Sequence, residues 1–68
     1  MRNRIKDMRT ARSWTQEQLS ERIGVSRQTV ISIESGRYNP SLELAFKLAR
    51  TFGCPIEDLF LWDEAEEQ

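Results

Sequence analysis

Residues 15–36, TQEQLSERIGVSRQTVISIESG, limit what this chain can fold into more than any other stretch. They hold two helical patterns separated by only Gly24, Val25 and Ser26. The first pattern opens on Thr15 as N-cap, with Gln18 three residues on as the second half of a capping box and Trp14 set to staple onto Leu19. The second opens in the same way. Ser26 is placed to cap the backbone N–H of Gln28 or Thr29, and Val25 to staple onto Val30. Gly24 suits the left-handed residue that ends the preceding helix.

Two capped helices joined by so short a turn predict a helix-turn-helix over residues 15–35, with the second helix at 27–35. On a helical wheel of about 100° per residue, Val30, Ile33 and Glu34 share one side of that helix. Gln28, Ile31, Ser32 and Ser35 share the other, with Arg27 at the edge. The outward side carries groups suited to base edges: Arg and Gln pair with purines through two hydrogen bonds, Ser bonds to several bases, and Ile packs on a thymine methyl. A solvated helix face has a similar composition, so the wheel alone leaves recognition and plain solubility both open.

The longer pattern TQEQLSERIGVSRQTVISIESGRYNPSLELAFKLA resembles the lambda-repressor and Cro-like helix-turn-helix regulators, also called the xenobiotic-response-element family. The resemblance spans nearly the whole chain and rests on several linked motifs, including VSRQT, GRYNPSLELA and a closing PIEDLF. It is strongest to small dimeric repressors without a separate ligand domain. It implies an all-α, five-helix DNA-binding domain, with a short C-terminal β-strand at the dimer interface as an option. Residues 27–35 then enter the major groove, where Arg27, Gln28, Ile31 and Ser32 read bases. Gln16, Ser26, Thr29, Arg37, Tyr38 and Asn39 hold phosphates. Arg9 and Glu34 form a structural ion pair.

A chain of 68 residues permits one domain with a modest core. Below about 70 to 80 residues, one core rarely supplies more than about 3 to 5 kcal/mol, so such domains lean on a disulfide, a metal or a partner subunit. Cys54 is the sole cysteine and there is no histidine, so neither an internal disulfide nor a zinc ligand set is expected. Without an imidazole to activate it, Cys54 reads as a small apolar filler. The expected support is a second copy of the chain. No cofactor or small-molecule ligand is indicated.

Net charge is −1, which looks wrong for a DNA binder until it is placed along the chain. Residues 1–50 hold all ten Lys and Arg against five acids, a local balance of +5, while Asp63, Glu64, Glu66 and Glu67 make residues 63–68 an acidic tail. The start, MRNRIKDMR, lacks the apolar run of a signal peptide, and no stretch approaches membrane-spanning length. A cytoplasmic protein, nucleoid-associated when bound to DNA, is expected.

Helix one is expected at residues 3–12, with Ile5 and Met8 inward, Arg9 on the same side and Arg12 solvated. Helix two, at 16–23, buries Leu19 and Ile23. Gln16 at its start is either a phosphate ligand, as in the resembled family, or an ordinary first-turn residue. Tyr38 either clamps a phosphate or packs on the domain. Ser41 caps helix four at 42–52, whose stripe of Leu42, Leu44, Ala45, Phe46, Leu48, Ala49 and Phe52 is wider than one core requires. Pro55 starts a fifth helix that ends near Phe60. The run from Leu59 to Trp62 is hard to bury in one copy, so Ile56, Leu59, Phe60, Leu61 and Trp62 are assigned to a dimer interface, the alternative being that Trp62 folds back on its own domain.

Residues 1–62 are therefore read as a DNA-binding domain with a C-terminal dimerisation segment. The expected function is a homodimeric, sequence-specific transcriptional regulator reading a palindromic operator, a repressor on grounds of economy because occupying an operator needs no further contact. A helix-turn-helix that binds protein instead of DNA is the rival reading. An enzyme is excluded by the lack of any histidine, phosphate loop or metal set.

Overall fold

Each long helix begins where a hydroxyl can satisfy its first backbone N–H groups. The Thr15 Oγ1 accepts from Gln18 N–H at 3.0 Å, while the Gln18 side chain accepts from Thr15 N–H at 2.8 Å, completing the capping box. Ser26 accepts from Thr29 N–H at 3.1 Å and Ser41 from Leu44 N–H at 3.2 Å. Thr15→Ala is expected to lower stability by about 1 kcal/mol. Thermal melting should then show a midpoint roughly 4 to 8 °C lower.

The computed structural model describes residues 1–62. The acidic tail at 63–68 lies outside the described residues. The element order is β1 (Arg2–Asn3), α1 (Ile5–Ala11), α2 (Gln16–Ile23), α3 (Arg27–Glu34), α4 (Leu42–Phe52), α5 (Ile56–Leu59) and β2 (Phe60–Leu61). Five helices and one small antiparallel ladder thus make up the described chain. Ile5, Leu19, Ile23, Val30, Ile33, Leu48, Phe52 and Leu59 form the core, each at most 3% exposed. Every helix contributes to it. A second layer of packing closes one end: Trp14 stacks on Phe52 with centroids 5.7 Å apart, and the Arg22 guanidinium lies 4.1 Å from the Trp14 centroid.

Several expectations need correction. Helix one starts at Ile5, not at residue 3, because Arg2 and Asn3 are extended and pair with β2 in the register Arg2↔Leu61 and Asn3↔Phe60. The C-terminal strand therefore takes its partner from the N-terminus of its own chain. Pro55 is the cap of α5 rather than its first helical residue, and Phe60 is already extended. Arg12 is exposed, as expected, while its guanidinium also donates to the Phe52 carbonyl at 2.7 Å. Leu59 is fully buried in the monomer core, so it has no surface to offer a partner. The wide stripe of α4 resolves into two faces: Ala45, Leu48, Ala49 and Phe52 are buried, while Leu42 and Phe46 are 70% and 53% exposed.

Candidate nucleic-acid interface

The tilt of α3 is set by what holds its two ends. Its N-terminus follows the tight turn at Gly24, where φ is +72° and Val25 N–H donates to the Ser20 carbonyl at 3.1 Å. Its C-terminus closes in a Schellman arrangement: Gly36 N–H donates to Ile33 O at 3.0 Å and Arg37 N–H to Ser32 O at 3.1 Å. Gly36 has a φ of +80°, which a side chain would strain. The loop that follows is thereby folded back along α3. Tyr38 N–H also donates to Ser32 O, at 3.2 Å.

Val30 and Ile33 anchor α3 in the core, and Glu34 adds a polar anchor beside them. Arg9 Nε donates to Glu34 Oε2 at 2.6 Å and its second terminal nitrogen to Oε1 at 3.2 Å, with the two side chains only 10% and 5% exposed. The remaining Arg9 terminal nitrogen donates to the Trp14 carbonyl at 2.7 Å. Gln16 joins the same cluster. Its amide donates to Glu34 Oε1 at 3.2 Å, so the ion pair also fixes the residue at the start of α2. Spacing on one helix could not reveal that link, because it joins α2 to α3.

The other expected contact residues fall into groups. Arg27 and Gln28 are exposed at the first turn of α3, and Ile31 and Ser32 are half-buried. Ser26, Gln28, Thr29, Ser32 and Tyr38 line one shallow hollow, with Ser26 and Thr29 hydroxyls 2.9 Å apart at its rim. Gln16 and Arg27 share a second hollow with Arg9 and Thr15. Arg37 is exposed but lines neither. Asn39 stands apart from the α3 hollows, beside Pro40 and Leu42.

The family model described as Helix-turn-helix matches residues 5–59. The chain belongs to that family of DNA-binding transcriptional regulators. It is 53% identical over 66 residues to an uncharacterized helix-turn-helix-type transcriptional regulator of Archaeoglobus fulgidus, covering 97% of this chain and 93% of the relative. It is 39% identical to the cryptic phage CTXphi transcriptional repressor RstR of Vibrio cholerae, covering 84% of this chain and 51% of the repressor. Among solved structures it resembles the restriction-modification controller protein C.AhdI from Aeromonas hydrophila, with TM-score 0.76, 35% identity and coverage of 84% and 86%.

Members of this helix-turn-helix family are regulators and not enzymes. Cys54 is in keeping with that. Burial, and after it the Asp58 carboxylate, push its thiol above the ordinary range, with Arg12 acting in the opposite sense. A thiol kept protonated is a poor nucleophile. No helix among the described residues is long and apolar enough to cross a membrane.

A further surface was only partly foreseen. Leu42 and Phe46 on α4 join Ile56, Phe60 and Trp62 around two adjoining hollows, with Trp62 61% exposed. Leu61, the strand neighbour of Phe60, lines a different hollow beside Ser35 and Gly36. Strand alternation accounts for the split. The excess width of the α4 stripe was the available signal for Leu42 and Phe46.

Proposed function

We propose that the chain is a homodimeric repressor that reads a palindromic operator in double-stranded DNA through the major groove. The observation that carries this reading is the hollow in which Gln28 and Ser32, suited to base edges, sit beside Ser26, Thr29 and Tyr38, suited to phosphates. In the reading, Arg27, Gln28, Ile31 and Ser32 contact bases. Gln16, Ser26, Thr29, Arg37, Tyr38 and Asn39 contact backbone, and Arg9 with Glu34 holds α3 in place. Leu42, Phe46, Ile56, Phe60 and Trp62 supply the dimer face. The protein acts in the cytoplasm on the nucleoid, without a cofactor or small-molecule ligand. Repression follows from steric exclusion of polymerase, which needs no additional domain.

Selection from a random duplex pool would yield the half-site, its symmetry and its spacing together. Against single-base variants of that site, Gln28→Ala should relax preference at one position per half-site, worth about 1 to 3 kcal/mol of discrimination. Arg37→Ala should instead weaken all sequences alike and lower the salt slope by about one unit. A uniform loss for Gln28→Ala together with altered base preference for Arg37→Ala would reverse the two assignments. Absence of any salt-dependent duplex shift by the pure protein would favour a protein-binding role instead.

A further inference from the structure

We propose that Asn3 is a positioning residue that locks the recognition helix to the segment bearing the dimer face and so sets which half-site spacing the protein accepts. The inference rests on the dimeric DNA-binding reading above. The Asn3 side chain bridges two helices while its backbone belongs to the strand ladder. Its Oδ1 accepts from Ile5 N–H at 3.1 Å, at the first residue of α1, and its Nδ2 donates to the Ile33 carbonyl at 2.8 Å, in the last turn of α3. Asn3 itself pairs with Phe60, and Arg4 N–H extends the ladder by donating to the Leu59 carbonyl at 2.8 Å. A short run of hydrogen bonds therefore connects the end of α3 to a residue on the proposed dimer face.

Two further contacts follow the same route. A Cβ on Gly36 would meet the Met1 carbonyl oxygen at 3.3 Å, so the N-terminal segment runs close against the turn that ends α3. Leu61 of β2 lines a hollow with Asn3, Ser35 and Gly36. Apolar packing tolerates small rotations, whereas hydrogen bonds are directional and penalise them. The ladder and the Asn3 amide are thus suited to fixing the orientation of α3 relative to β2. In a dimer this orientation sets the distance and angle between the two recognition helices. Each base pair added between half-sites moves the second target by about 3.4 Å and turns it by roughly 35°, so a rigid link rejects altered spacings and a loosened one follows them.

The test uses Asn3→Asp, which keeps the acceptor for Ile5 N–H but turns a carboxylate oxygen toward Ile33 O in place of the donor. The probes are labelled duplexes carrying two inverted copies of the selected half-site, with the gap varied one base pair at a time. Discrimination between the best gap and its neighbours should fall by about tenfold, equivalent to about 1.4 kcal/mol, while base preference within the half-site stays as in the wild type. In the free protein, amide exchange at Gly36, Arg37 and Arg4 should quicken together. If Asn3→Asp loosens the whole fold, Asn3→Ser, uncharged and too short to reach Ile33, carries the same expectation. A folded variant with the wild-type gap profile, or with equal loss at every gap, overturns the role of Asn3 and leaves the dimer reading standing. A wild type indifferent to the gap removes both.

Discussion

Glu34→Ala is expected to destabilise the protein by about 3 to 5 kcal/mol, because it leaves the Arg9 guanidinium buried without its carboxylate. The geometry places the pair in the buried regime: the two side chains are 10% and 5% exposed, and Glu34 accepts from both Arg9 and Gln16. For a chain of this size the loss rivals the entire stability of about 0.05 to 0.15 kcal/mol per residue. Thermal and denaturant melting should show a large fall for Glu34→Ala and a smaller one for Glu34→Gln, which retains an acceptor. Replacing both partners by apolar residues, as in Arg9→Met with Glu34→Leu, should recover much of the loss, since no charge then remains buried. A melting point unmoved by Glu34→Ala, together with lost duplex binding, would transfer Glu34 to the DNA surface.

What could be read from the sequence was what physical chemistry makes local. The caps at Thr15, Ser26 and Ser41 act within four residues of their own backbone, and all three are present in the structure. Gly24 is in the left-handed conformation anticipated for it. The partnership of Arg9 and Glu34 was a longer inference, made from two helical wheels and the family resemblance, and the two residues are indeed paired. Asn3 escaped notice because its partners lie at Ile33 and in a ladder between the two ends of the described chain. Two-residue strands have no periodicity to detect.

The closing apolar run illustrates the same limit. Leu59, Phe60 and Leu61 look equivalent as sequence, yet a change from helix to strand at Phe60 sends them to the core, the outer face and the end of α3 respectively. A four-residue helix is too short to define a buried stripe. In α4, by contrast, eleven residues suffice to separate two faces, and the surplus apolar side chains signalled a second surface before its position was known.

Phe46→Asp is expected to abolish self-association and to weaken binding to a two-half-site duplex by about 10² to 10⁴-fold, the gain ordinarily provided by linking two binding modules. Phe46 is the more discriminating site for this test than any residue of the terminal run. It is 53% exposed and lies outside the core, so a charge there should leave the monomer fold intact. Trp62→Asp, at the other end of the same apolar face, should act in the same direction. Sedimentation at micromolar concentration reports the association, and duplexes with one or two half-sites separate the causes. On a single half-site, wild type and Phe46→Asp should bind alike, because each subunit's reading surface is untouched; on two, only the wild type should gain. A wild type that sediments as a monomer yet binds the double site no more tightly than the single one would exclude the dimer. Equal weakening on both duplexes would place Phe46 in the support of α3 instead.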